Sequence, residues 1–172
     1  MNLAGNRVII RRAGKRDEEM LRHLIDDPKT VKVTGKYPRP MSYNHQIHWF
    51  CGSAGDVRGI IAQKERPEAG LGIILLSHVD PTEKTAEIYI KLTRPARGKG
   101  YGRDAVTVLV SHAFFGMGLN HIRARILKNN QASIRLFETC GFKEESACGC
   151  AGSGDGENRT VCVYGISLPD GE

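Results

Sequence analysis

Residues 94–105, Arg-Pro-Ala-Arg-Gly-Lys-Gly-Tyr-Gly-Arg-Asp-Ala, restrict the fold more than any other stretch of the chain. They set three glycines and four cations between an alternating apolar run at 86–92 and a helix-periodic run that begins near Val106. The order is strand, turn, helix. Glycine lets backbone come close to a ligand and take positive φ, so successive N–H groups can converge on an anion at the positive end of the following helix. A phosphate-bearing ligand is expected. A P-loop needs Ser or Thr after Gly-Lys to reach magnesium, but Lys99 is followed by Gly100. Gly100, Gly102 and Ala105 meet the dinucleotide fingerprint formally. That fingerprint also wants an acid on the ribose about 20 residues later, where this chain has His121, Arg123 and Arg125.

The pattern that remains, Arg97-x-x-Gly100-x-Gly102, resembles the acyl-CoA pyrophosphate loop, Gln/Arg-x-x-Gly-x-Gly/Ala, of the GNAT acetyltransferase superfamily. Downstream, residues 129–142 resemble that family's Asn-x-x-Ser/Ala helix ending in Gly-Phe, here Asn130, Ser133, Gly141 and Phe142. Near the N-terminus, Arg11, the run 17–27 before Pro28, and His48-Trp49-Phe50 resemble the branch that acetylates ribosomal-protein N-termini and related amines. The resemblance spans roughly residues 7–168 and implies a single GNAT domain in residues 1–172. The implied fold is α/β (α+β), with a mixed, mostly antiparallel sheet of about seven strands flanked by about four helices.

Composition agrees with one globular domain. At 172 residues the chain can bury about two thirds of its unfolded surface. Its 40% hydrophobic and 26% charged residues are globular proportions, and no apolar run approaches the ~20 residues of a membrane span. The first twelve residues lack a signal-peptide core, so a cytoplasmic protein is expected. The net charge of +6 invites a nucleic-acid reading. However, many cations (Arg94, Arg97, Lys99, Arg103, Arg123, Arg125, Lys128, Arg135) cluster where a CoA-like ligand would lie, and few aromatics are available for base stacking. Four of the five cysteines fall between 140 and 162, yet no Cys-x-x-Cys pair occurs, and free thiols are expected rather than a metal site. Cys148 and Cys150 share a face if they lie in a strand, where a labile disulfide could form.

In chain order, residues 7–12 are β-branched and read as a first strand. Asp17 is expected to cap a helix whose buried stripe is Met20, Leu21, Leu24 and Ile25. A Pro-rich loop, 28–41, then leads to a short helix capped by Ser42 and bearing His45, His48 and Trp49; the histidines read as a surface pair, and the resemblance implies that loop and helix wall the acceptor site. Strands are expected at 57–64, 70–79, 86–92, 121–127, 142–146 and 160–168. Helices follow the glycine loop and cover 131–140, and 149–156 reads as a glycine-rich loop.

The resemblance assigns chemistry residue by residue. Backbone groups of Ile90, Lys91 and Leu92 would bind pantetheine. The N–H groups of Gly98, Lys99, Gly100, Tyr101 and Gly102, with the Arg97 side chain, would hold pyrophosphate, and Asn130 would touch the pantetheine arm. In the strand 86–92, Ile88, Ile90 and Leu92 alternate with Glu87, Tyr89 and Lys91. Glu87 on that polar face is the candidate base, with a solvated carboxylate paired to Lys91 as the plain alternative. The leaving thiolate needs a proton, which the family often takes from a tyrosine at the position of Phe137. Ser133 is the candidate donor in its place, with Tyr89 and Cys140 as other options. The expected activity is acetyl transfer from acetyl-CoA to a primary amine on a protein N-terminus, polyamine or amino sugar, by direct transfer in a ternary complex. A non-enzymatic acyl-CoA sensor and a nucleic-acid binder are the alternatives. No metal, nucleic-acid or membrane partner is expected, and the chain would act as a monomer or homodimer.

Overall fold

Alternating apolar residues form strands here and 3.6-residue periodicity forms helices, and the order of the two sets the layers. The computed structural model describes residues 2–26, 55–151 and 159–169. Among the described residues eight strands form one sheet: β1 (Asn2–Ala4), β2 (Val8–Arg11), β3 (Val57–Gln63), β4 (Gly70–Asp80), β5 (Thr85–Leu92), β6 (His121–Leu127), β7 (Lys143–Ala151) and β8 (Arg159–Ser167). Their spatial order is β1-β2-β3-β4-β5-β6-β8-β7, antiparallel throughout except for the parallel pair β5–β6. Among the described residues the α-helices are α1 (Glu18–Asp26), α2 (Tyr101–Ser111) and α3 (Gln131–Thr139). A π-turn, His112–Gly116, extends α2. The fold class is therefore the expected one, with one more strand than anticipated. The expected helix at 42–50 and its histidines, the loop 28–41 and residues 152–158 lie outside the described residues.

Each face of the sheet has its own core. On one face Val8, Ile10, Ile61, Ile74, Leu76, Ile88 and Ile122 pack under the apolar stripe of α2 (Ala105, Val106, Leu109, Val110) and under Ile134 and Phe137 of α3. On the other face Ile60 and Ile73 meet Leu21 and Leu24 of α1, with Met20 and Tyr89 at the margin. Asp17 does not cap α1 as expected. It closes a 3-10 turn (Lys15–Asp17), where its carboxylate accepts from Gly14 N at 2.8 Å and pairs bidentately with Arg11 at 2.7 and 2.8 Å. Both side chains of that pair are buried. Pairing with β8 runs from Lys143 to Ala151, so residues 149–151, expected in a loop, extend β7.

The parallel pair positions the site. β5 and β6 are in register only at Thr85↔His121, Ala86↔Ile122 and Glu87↔Arg123. Beyond Glu87 they diverge, and β6 stays paired to β8 along its whole length while β5 stays paired to β4. A V-shaped cleft opens from Glu87 toward the glycine loop.

Candidate active site

β5 ends against a 3-10 turn (Arg94–Ala96), pinned where Thr93 donates N–H and Oγ1–H to Leu71 O at 2.8 and 3.0 Å. Gly98 and Gly100 follow at φ +69° and +82°, in the left-handed region that a side chain strains. Their alternation with Lys99 turns the backbone into a concave row of N–H groups at the start of α2. The N–H groups of Gly98, Lys99 and Gly100 make no hydrogen bond among the described residues. The first-turn N–H groups of α2 lack intrahelical partners by construction. A Cβ on Gly98 would meet open space, whereas one on Gly102 would press on Leu92 and Leu136 at 3.2 and 3.3 Å. The first position is thus left clear and the last is a close helix–strand contact.

A cavity of about 510 Å³ occupies the mouth of the V, lined by Ile90, Lys91, Leu92, Arg97, Gly98, Gly100, Gly102, Asn130 and Ser133, with Arg103 and Arg135 adding positive charge. Most of the cofactor-binding residues expected from sequence therefore share one wall or another of this cavity. The Lys99 and Tyr101 side chains instead line a separate cavity of about 760 Å³ against α1. The Tyr101 ring lies 4.8 Å beneath the Arg7 guanidinium, and its hydroxyl accepts from Gln63 Nε2 at 2.6 Å. Asn130 is the N-cap of α3: its Oδ1 accepts from Ser133 N at 3.2 Å, and its NH2 makes no hydrogen bond among the described residues. The Ser133 hydroxyl borders the same space.

Glu87 occupies the apex of the V, one third exposed, with Oε2 3.5 Å from His78 Nδ1. The basic side chain against it among the described residues is thus that of His78, while Lys91 is buried. His78 reaches Glu87 from an irregularity in β4 between Ser77 and Asp80, where its φ is +50°. Sequence periodicity could not signal this pairing, because the bulge shifts the register.

Of the other proton donors considered, Cys140 donates to Arg103 O at 3.8 Å, and burial pushes its thiol pKa up. Tyr89 packs on the α1 side. Phe137 is buried edge-on against Phe142, with ring centroids 4.9 Å apart. Arg123, grouped by sequence with the CoA cations, lies elsewhere, in a cavity of about 580 Å³ with Asn120, His121, Glu145 and Ser167. Arg94 and Lys99 face the α1-side cavity, while Arg97 borders both it and the mouth of the V. The Cys148 and Cys150 side chains lie outside the description, and no cluster of metal-ligating residues occurs among the described residues.

The sheet is parted at one parallel pair, and a glycine-rich helix start lies at its mouth. Residues 7–143 match the acetyltransferase (GNAT) domain, and the chain belongs to that family of acetyltransferases. An uncharacterized N-acetyltransferase, p20, of Bacillus licheniformis is 26% identical over 94% of this chain and 92% of its own length. An N-acetyltransferase 9-like protein of Nematostella vectensis is 32% identical over 84% of this chain and 78% of its own. Among solved structures, spermidine N-acetyltransferase from Vibrio cholerae, in complex with CoA and spermine, superposes with a TM-score of 0.81 at 18% identity, covering 93% of this chain and 95% of that one. A GNAT-family acetyltransferase from Bacillus anthracis gives 0.82 at 20% identity, covering 97% and 98%.

Proposed function

We propose that the protein transfers the acetyl group of acetyl-CoA directly to a primary amine in a ternary complex. The observation that carries this reading is the pairing of the V-shaped cleft with the glycine row: one lies open beyond Glu87, and the other presents at its mouth N–H groups with no hydrogen bond among the described residues. Pyrophosphate rests on the N–H groups of residues 98–102 and on Arg97. Pantetheine runs along Ile90, Lys91 and Leu92 with Asn130 opposite, which brings the thioester toward Glu87.

The amine must be neutral to attack. An α-amine (pKa ~7.7 to 8) costs about 1 kcal/mol to deprotonate at pH 7, a lysine-like amine (pKa ~10.4) about 4.6. Glu87 takes the proton, through water, with His78 beside it. The nitrogen lone pair forms the new C–N bond, the C–S bond breaks, and the thiolate leaves with a proton from solvent or from Ser133. The acceptor carries a primary amine, as a protein N-terminus, a polyamine or an amino sugar does; spermidine is the substrate named for one structural neighbour.

Phe137, in place of a hydroxyl donor, favours one second reading: a domain that binds acyl-CoA without turning it over. Calorimetric titration with acetyl-CoA, followed by thiol release against N-terminal peptides, polyamines and amino sugars, separates the two. Binding with release on one amine class supports transfer. Binding without release on any amine supports the sensor, and absence of binding overturns both.

A further inference from the structure

The cavity of about 580 Å³ next to the apex of the V is built around one carboxylate. Glu145 sits in a register irregularity of β7, between Glu144 and Ser146, and its side chain crosses over β8. It can do so because position 165 is glycine: a Cβ there would lie 2.0 Å from Glu145 Oε1. On the far side the carboxylate reaches β6, with Oε1 2.8 Å from His121 Nε2 and Oε2 accepting from Arg123 Nε at 3.3 Å. His121 Nδ1 in turn lies 2.8 Å from Ser167 Oγ. The acid therefore accepts one hydrogen bond, from Arg123, and has the His121 ring against its other oxygen. Glu87 likewise has His78. A polyamine needs carboxylates that are not already matched, and among the described residues lining this cavity there is no second acid.

Arg123 differs from its neighbours. Half of its side chain is exposed (52%), and only Nε is engaged; neither terminal nitrogen makes a hydrogen bond among the described residues. A planar guanidinium with its fork open matches a carboxylate in two parallel bonds. Arg123 is also the register partner of Glu87, so the two side chains leave the same face of strands about 4.8 Å apart. One small molecule can reach both.

Resting on the acetyl-transfer reading above, we propose that the acceptor is a small amino acid whose carboxylate is held by Arg123 while its amine is presented to Glu87. The two groups of an α-amino acid are separated by one carbon, which suits the spacing of neighbouring strands. The cavity beside Arg123 admits a molecule of that size, and Glu87 lies outside its lining, on the neighbouring strand.

The test uses the full chain loaded with CoA, which cannot react, titrated calorimetrically with amino acids and their carboxamides. Thiol release from acetyl-CoA is then measured with the same panel plus spermidine and glucosamine. At least one amino acid is expected to bind and react about tenfold better than its carboxamide. Arg123→Gln is expected to erase that preference and Arg123→Lys, with charge but no fork, to keep part of it; acetyl-CoA affinity serves as the folding control. Spermidine or a carboxamide used as well as the acid, or a preference that survives Arg123→Gln, overturns the inference while leaving acetyl transfer intact. If no amine releases thiol, the transfer reading fails. Arg123-dependent amino-acid binding to the CoA-loaded protein would still uphold the carboxylate site, and its absence would overturn that too.

Discussion

Gly98 and Gly100 hold backbone angles that a branched side chain resists, whereas Gly102 is needed for packing. Gly100→Val should therefore remove CoA binding from a protein that still folds, read by calorimetry beside a thermal melt. Unchanged affinity would sink the assignment of this loop. Glu87→Gln is expected to lower turnover with little change in acetyl-CoA affinity, and wild-type rates across pH 6 to 9 would remove Glu87 as the base. Asp17 makes a prediction about stability alone. Its buried bidentate pair with Arg11 also holds Gly14 N, so Asp17→Ala leaves a guanidinium uncompensated and should cost about 3 to 5 kcal/mol in denaturant unfolding. What the sequence conveyed at this scale was backbone chemistry: glycines in a turn, and an Asn that caps a helix. Partners brought together across strands, such as His78 with Glu87 or Glu145 with His121, rest on bulges and on a missing Cβ. No local spacing encodes those.

Among the elements, strands β5 and β6 and helix α3 were legible because a half-buried strand must alternate and an amphipathic helix must repeat. The three residues of β1 carry no pattern of their own. Their place is fixed by Asp104 of α2, whose carboxylate accepts from the N–H groups of Arg7, Val8 and Asn6 at 2.8, 2.9 and 3.1 Å across the β1–β2 turn. Burial works against ionisation of Asp104, but those bonds and the charge of Arg7 outweigh it and hold the carboxyl below its usual range. A carboxyl depressed in the folded state stabilises fully above its unfolded pKa of ~3.9 and loses that contribution as pH falls through the lower folded value. The stability gap between wild type and Asp104→Asn should accordingly be constant near neutrality and shrink below about pH 4. A gap that is flat across that window would mean that the hairpin is held by something else. β7 escaped prediction in its second half because Ala-Cys-Gly-Cys-Ala looks like a turn, and only pairing with β8 makes it a strand.

Across the whole molecule the net charge of +6 is unevenly used. Arg97, Arg103 and Arg135 surround the mouth of the V, Arg16, Arg66, Arg94 and Lys99 line the cavity against α1, and Arg123 lies near the apex. A polyanionic ligand should be drawn to the mouth from a distance. Stopped-flow association of CoA is expected to slow about tenfold between low and high salt, and a flat response would remove steering from the account. Because the sheet parts beyond Glu87, five strands on one side and three on the other share only three register pairs. A ligand seated between them is then a ninth member of the sheet, completing from outside what the chain leaves unfinished. Amide exchange along 88–92 and 124–127 should slow together when CoA is added, since holding the cofactor and closing the sheet are a single event.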